Sequence, residues 1–513
     1  MASFQIVYDD FSGGQYMGPR STNWPKNTFS GEDAIANTYG EVMAGGGMYT
    51  AYIQSPVTNS TQAKVMDQWI IGENIYSFCQ WYASSTWTAK MLSFNVANGT
   101  VFPSPTVTTT SLTGQIGGKV AYDNSNSKFF YVRSDGGSAG YIRSVTTSGT
   151  DASVSTALGA TGITNIALYG YRLVAWGDTS KRLYYSNTDL ATFSTSQYYE
   201  FTGEVLNVLP RSNDLLVVCT TGVFSLVGVL GSSVTIQLIL PGANMPEGMR
   251  DAIIVGRNAI FPDNSRSGNL DGRLHEMIGS TIRPIANIDF NSIQYVGAIG
   301  GYEQMRCFNA PDSGIAIVLK SGSVYVRRQD GVWKFMSNSY VGVTRSNTDQ
   351  IHIARPGVNA QNEYIIATFV DADENYQIRF DRGIYGVTDT TYLDHDFRTT
   401  TTASGEAMAP SGTARLAEYW HSKPFSVKNA IIEWTGRTNS YITVQIIPTG
   451  VVDTPGADVF DGRSEYLDTT LDASYVFNTE RIFVNNAQKG YGVKISVSMY
   501  DSRVKRVILN CED

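Results

Sequence analysis

Along most of the chain, apolar residues alternate with polar ones or gather into runs of four to eight. Glycine, asparagine, aspartate and serine break the runs apart. Helical spacing is almost absent. Short runs rich in Val, Ile, Tyr, Phe and Thr with this punctuation predict an all-β chain. A strand–turn–strand unit recurs: NIYSFCQWYASSTWTAKMLSFNV (74–96), SKFFYVRSDGGSAGYIRSV (127–145), YRLVAWGDTSKRLYYSN (171–187), DLLVVCTTGVFSLVGV (214–229), NAIFPDNSRSGNLDGRLHEMIG (258–279), GIAIVLKSGSVYVRRQDGVWKF (314–335) and EYIIATFVDADENYQIRFDRG (363–383). Further apolar runs, such as GKVAYD, TNIALYG, EVLNVLP, RDAIIVG and QIHIARP, precede hairpins. A period near ~45 residues with about four strands per repeat is the signature of a propeller blade. Unrelated hairpins packed into large sandwiches are the alternative.

Near Thr399 the period stops. TTTTASGEAMAPSGTAR (399–415) has no strand periodicity and reads as a linker. Strict alternation then returns. Ile442, Val444 and Ile446 share one face of YITVQII, and Val493, Ile495, Val497 and Met499 share one face of VKISVSM. About 100 residues of this kind suit an antiparallel sandwich. The expectation is therefore a β-propeller of about seven blades followed by a C-terminal antiparallel β-sandwich. The expected boundaries are an N-terminal arm and closing strand over 1–45, the propeller over 46–400, a linker over 401–414 and the sandwich over 415–513. The sandwich is expected to fold alone.

The arm, YDDFSGGQYMG (8–18), lacks the basic start and apolar run of a secretory signal. FQIVYDD reads as a strand, with Gly13-Gly14 turning the chain away. Two roles fit it, completing the last propeller blade or docking on a neighbouring subunit.

Composition narrows the function. Charged residues make up 16% of the 513, below the roughly 25% usual for soluble domains. Such a surface suits extensive packing against other subunits. A net charge of −8 argues against nucleic-acid wrapping, and no apolar window is long enough for a membrane span. Cys79, Cys219, Cys307 and Cys511 show no paired spacing and read as buried small hydrophobes.

Candidate chemistry is sparse. Asp371-Ala372-Asp373-Glu374-Asn375 imitates a calcium loop, but Tyr376 stands where glycine is required and Arg382 where the bidentate glutamate belongs. A polar hairpin tip is the better reading. His275, His352, His395 and His421 have no metal-ligand spacing, and Asp394-His395-Asp396 reads as a solvated loop. SNTDLATF (186–193) resembles the aspartate-box turn of sialidase propellers, with the spacing out by one residue and Ala191 where glycine is wanted. That box is structural. The 30 tyrosines and 8 tryptophans, as in CQWYASSTWTAK, suit a core, an interblade contact or sugar stacking. No catalytic, cofactor-binding or metal-ligating residue is assigned.

RLYYSNTDLATF, NVLPRSNDLLVVCTTGVFSLVG and GVLGSSVTIQLILPGANMPEGMRDAIIVGRNAIF together resemble propeller proteins of tailed-bacteriophage tails. The arm Asp10-Phe11-Ser12-Gly13-Gly14 is similar to the D-F-x-G-G arm of that family, and EYWHSKPFSVKNAIIEWTG (418–436) to the start of its sandwich. The resemblance implies a non-enzymatic virion structural protein, a minor tail or tail-tip component assembled in the host cytoplasm. It implies other tail proteins as partners, a symmetric homo-oligomer, no cofactor, no membrane span and no specific nucleic-acid binding. Host-surface glycans are a further candidate partner. A tail-tube nozzle is the alternative position, although no basic stretch marks a DNA conduit. A propeller glycosidase or lectin acting on host polysaccharide is the rival in another class.

Overall fold

A computed structural model describes most of residues 3–15, 26–95, 106–263 and 273–284, the strands alone between 305 and 384, and most of 411–451, 460–463 and 476–513. Among the described residues, seven four-stranded antiparallel sheets follow one another. Six are continuous in sequence: blades 1 to 6, over 62–111, 121–153, 165–200, 205–241, 253–284 and 305–337. Blade 7 takes three strands from 357–384, and its fourth is Tyr49–Ile53 from the N-terminal side. The chain is a seven-bladed β-propeller joined to a second β-domain. Each of the seven hairpins read from the sequence supplies the second and third strands of one blade.

Burial explains why those hairpins were so apolar. The second strand of a blade faces a neighbouring blade on each side, so neither of its faces can be polar. Asp214–Cys219 is buried along its whole length, whereas the outer strand of the same blade, Val234–Pro241, is largely exposed. Between blades 1 and 2, Phe78, Phe129 and Tyr131 are enclosed side by side, with Phe78 and Phe129 ring centroids 5.1 Å apart.

The N-terminal arm does not close the propeller. Ser3–Tyr8 pairs antiparallel with the C-terminal end of the chain, from Ser3 opposite Glu512 to Tyr8 opposite Val507. Thr28–Glu32 pairs with Ser411–Leu416, and Val42–Ala44 reaches Arg503 and Val504. Closure falls instead to Tyr49–Ile53, opposite Ile378 to Arg382. The physical reason lies in the packing. Ile6 and Tyr8 point one way into the core of the C-terminal sheet, and the Tyr8 hydroxyl donates to the Ala417 carbonyl at 2.6 Å.

The second domain is thus built from both ends of the sequence, and the propeller is inserted between them. Two long strands, Tyr419–Val451 and Gly490–Glu512, run beside each other through both halves. Register shifts at Phe425–Asn429, Glu433–Trp434 and Gly436–Tyr441 bend them, as bulges do. The sheet therefore folds over one core. That core holds Trp434, Ile442, Val444, Val497 and Leu509 together with Ile6, Tyr8, Phe11, Phe29 and Val42. Both alternating faces read from the sequence lie in it. Two further corrections follow. Residues 411–414 are strand rather than linker, with Ala414 fully buried, and the sandwich does not begin at 415. Strands Gly14–Gln15 and Ala34–Ala36 lie against the outer strand of blade 6, Trp333–Ser337, which seats the sandwich beside the propeller rim.

Candidate functional site

The inner strands of a propeller surround its axis, and here a polar seam joins them. In blade 1 a register shift between Val65 and Asp67 turns Asp67 inward, where one oxygen accepts from the Gln68 amide (2.9 Å) and the other from the Val120 amide of blade 2 (2.8 Å). Blade 4 repeats the device. Past the shift between Val205 and Asn207, the Asn207 oxygen accepts from the Val208 amide (2.9 Å), and its amide nitrogen donates to the carbonyls of Met249 and Ala252 at the entry to blade 5. Asn165 of blade 3 accepts from the Lys119 amide at 3.0 Å. The Lys119 ammonium spans further, donating to Asn207 at 2.9 Å and lying 5.9 Å from the Trp176 ring centroid. Sequence reading missed this seam, although a signal was present. Asp67, Asn165 and Asn207 each stand seven residues before the first residue of their blade's second strand, Asn74, Arg172 and Asp214. The seam positions blades and leaves its carboxylate occupied by backbone donors.

Other enclosed carboxylates are also committed to structure. Asp214 accepts from the Arg211 guanidinium and the Ser225 hydroxyl at the base of the blade 4 hairpin. Asp151 accepts from Arg143 (3.1 Å), from the Thr113 amide and hydroxyl (2.9 and 2.6 Å) and from the Tyr131 hydroxyl (3.0 Å). Burial alone would raise both carboxyls. The arginine and hydroxyl hydrogen bonds outweigh it and hold each below the usual carboxylate range. A carboxyl depressed in the folded state stabilises above its unfolded pKa, and that contribution fades as pH falls through the folded value. Asp214→Asn is expected to cost about 2–3 kcal/mol at pH 7, since it weakens a charged hydrogen-bond set. The gap from the parent should narrow on acidification toward pH ~3, below the unfolded aspartate pKa of about 3.9. Denaturant titrations at the two pH values check this, and a gap that stays constant would contradict it.

The remaining candidates separate cleanly. In the calcium-like stretch Ala372 pairs with Asn375 across the blade 7 hairpin, and Asp373 and Glu374 lie outside the described residues. SNTDLATF is the turn between the third and fourth strands of blade 3, where Asp189 accepts from the Thr192 amide and hydroxyl. His275 stacks on Phe261 and His421 on Phe4, while His352 and the Asp394-His395-Asp396 loop lie outside the described residues. Cys79, Cys219 and Cys511 are buried free thiols, and the Cys307 side chain lies outside the described residues. Burial pushes Cys219 and Cys511 up to about 12 and Cys79 higher still, so none is a ready thiolate. In CQWYASSTWTAK, Trp81 is fully buried and Tyr82 packs on Trp87 across the hairpin at 5.3 Å. Among the described residues no group of three metal-ligating side chains lies together, and no helix is long and apolar enough to cross a membrane.

One surface stands out. On the rim of blade 4, Val227 and Val229 (64% exposed) adjoin Ile236 and Leu238 (50% exposed) of the outer strand. Ile236 and Leu238, opposite Leu226 and Phe224, share one face of this outer strand, whereas Val227, opposite Thr235, stands on the other. The strand VTIQLILP carries no charge and is the last of its sheet. Solvated edge strands are normally blunted by charge or proline, and this one has neither before Pro241.

Fold and surface define a propeller protein with a composite sandwich. No protein-family model matches the chain, and no curated protein matches it. Solved structures resemble it at low identity. PorZ, an essential surface component of the type-IX secretion system of Porphyromonas gingivalis, aligns over 74% of this chain at 12% identity and TM-score 0.38. The chain spans 44% of PorZ's length. The propeller domain of the Trilobed protease from Pyrococcus furiosus, of open velcro topology, aligns over 67% of this chain and all of its own at 10% identity and TM-score 0.37. Virginiamycin B lyase from Staphylococcus aureus aligns over 66% of this chain and all of its own at 7% identity and TM-score 0.42. These are likenesses of fold and carry nothing about activity.

Proposed function

We propose that the chain is a non-enzymatic structural protein of a bacteriophage tail, a minor tail or tail-tip component that scaffolds assembly and contributes to attachment at the host surface. It works in the virion, beside other tail proteins and further copies of itself, after assembly in the host cytoplasm. The scaffold part is carried by the uncharged, apolar outer strand of blade 4, a surface that a free-standing monomer would leave as an aggregation hazard. The committed state of Asp67, Asp151 and Asp214 supports the non-enzymatic part, because each is engaged by structural donors. The virion part rests on the resemblance of 182–261 and of the Asp10–Gly14 arm to phage tail propellers.

The test is a double substitution, Ile236→Lys with Leu238→Glu. Both side chains are already exposed, so the melting temperature should stay within a few degrees, as surface changes usually cost no more than about 0.5 kcal/mol. Incorporation into tailed particles, followed by complementation with a tagged chain, should fall at least tenfold. Normal incorporation would remove the scaffold role from this strand.

A further inference from the structure

The hairpin that ends blade 4 fixes which backbone groups its outer strand presents. The Val229 amide donates to the Ser233 carbonyl at 3.1 Å, so the next pair, Gly228 and Val234, stand opposed without exchanging hydrogen bonds. Alternation then makes Thr235 and Gln237 the bonded partners of Val227 and Ser225. The N–H and C=O of Val234, Ile236 and Leu238 turn toward the open edge instead. Beyond Leu238 a register shift between Val223 and Phe224 interrupts the ladder, and Pro241 has no N–H to offer.

Residues 234–238 form a pattern symmetric about Ile236. Apolar side chains at 234, 236 and 238 share one face, and polar ones at 235 and 237 the other. Read backwards, the run presents the same faces. Its surroundings are neutral too, since the sequence from Leu215 to Pro246 holds no charged residue in a chain of net charge −8. The other outer strands of the propeller differ. Tyr49–Ile53, Thr108–Ser111, Asp151–Ser153 and Thr281–Pro284 are shorter, and Trp333–Ser337 lies against sandwich strands. Phe193–Glu200 has an interrupted ladder and ends on a carboxylate.

We infer that the outer strand of blade 4 pairs edge to edge, antiparallel, with the same strand of a second copy, about a two-fold axis at Ile236. Ile236 then faces its own copy, Val234 faces the partner's Leu238, and Thr235 faces the partner's Gln237. Every outward N–H of the run meets a C=O, giving about six hydrogen bonds. The apolar side chains of both copies line up on one face, while Thr235 and Gln237 can hydrogen-bond on the other. Charge selects this occupant. Two copies of net charge −8 repel where their carboxylates meet, and the neutral hairpin lets like face like. The first strand of the blade faces the propeller axis, so pairing uses the open edge of each sheet and closes at two copies. The inference rests on the proposal that this strand is covered in the tail, and it names what covers it.

Sedimentation of the purified full chain and site-specific cross-linking test it. A short strand pairing buries little area, so a dimer dissociating at roughly tens of micromolar is expected. Ile236→Cys should yield a disulfide-linked dimer under mild oxidation, because residues opposed in a bonded pair lie about 5.5 Å apart at Cα, within disulfide reach. Thr235→Cys and Gln237→Cys each face a different residue and should cross-link about tenfold more slowly or less. Ile236→Pro removes an outward donor alone, so it should weaken the dimer about a hundredfold with little change in melting temperature. Gln237→Pro removes a ladder bond and should lower the melting temperature. Should Ile236→Pro fail to fold, Ile236→Lys sets two ammonium groups face to face and gives the same loss of dimer. A chain that stays monomeric up to about 1 mM would overturn the inference. So would equal cross-linking at 235, 236 and 237. Either result leaves the tail reading standing, with a different tail protein over the strand. A dimer with the expected cross-linking that never enters particles would uphold the inference and overturn the tail reading.

Discussion

Residues 411–513 expressed alone are expected to remain without a cooperative fold. Alternation in Ile442–Ile446 and Val493–Met499 makes the segment look self-sufficient, but the core it encloses is shared. Ile6, Tyr8, Phe11, Phe29 and Val42 are each almost fully buried in it. Burying one such side chain contributes about 1.5–3 kcal/mol, so losing five removes on the order of 10 kcal/mol. Domains of this size hold only about 5–15 kcal/mol in all. The truncation also strips Ser3–Tyr8 from one sheet edge and Thr28–Glu32 from another, leaving both edges open. Residues 1–44 joined through a short flexible linker to 411–513 should regain the fold. Dispersed amide spectra and a sharp thermal transition are expected for the joined protein and absent for the fragment. A cooperative melt of 411–513 alone would contradict the shared core. Within the whole chain, Phe29→Ala should cost about 3–5 kcal/mol, as large-to-small core changes do.

The second large effect concerns ring closure. Removing residues 1–44 should unfold the sandwich and spare the propeller, whereas removing 1–53 should also open blade 7. Tyr49–Ile53 is the outer strand of that blade, paired with Ile378–Arg382, and among the described residues it is the one propeller strand drawn from before residue 62. Without it the strand Asn375–Ile384 becomes an edge, and the ring is held between its first and last blades by inner-strand contact. Hydrogen exchange should report the difference. Amides of 375–384 are expected to lose about a hundredfold of protection in the 54–513 protein, and those of blade 3 far less, because opening is local. Equal protection of 375–384 in the two truncations would place closure elsewhere.

The repeat was legible because propeller blades bury their second strands on both faces, and LLVVC or FFYV cannot hide such a demand. Punctuation such as Thr221-Gly222 then separated the runs into hairpins. Partnership between distant segments was not legible. FQIVYDD has the alternation of a half-buried strand, and nothing in a period-two pattern says which sheet receives it. The same holds for Tyr49–Ile53, too short and too near glycines to announce itself as a blade strand. Residues 411–414, Ser-Gly-Thr-Ala, read as a linker because their side chains are small. The seam was missed for another reason. Asp67, Asn165 and Asn207 are single polar residues, and only the folded arrangement, with a register shift beside Asp67 and beside Asn207, makes them bridges between blades.

Electron cryomicroscopy of tailed particles produced with a tagged copy of this chain tests the central claim most directly. The account predicts stoichiometric density in the tail into which a seven-bladed disc with its adjoining sandwich fits, and in which the outer strand of blade 4 is covered by a neighbouring subunit. Particles that carry no tagged chain, with the protein recovered free in the lysate, would contradict it.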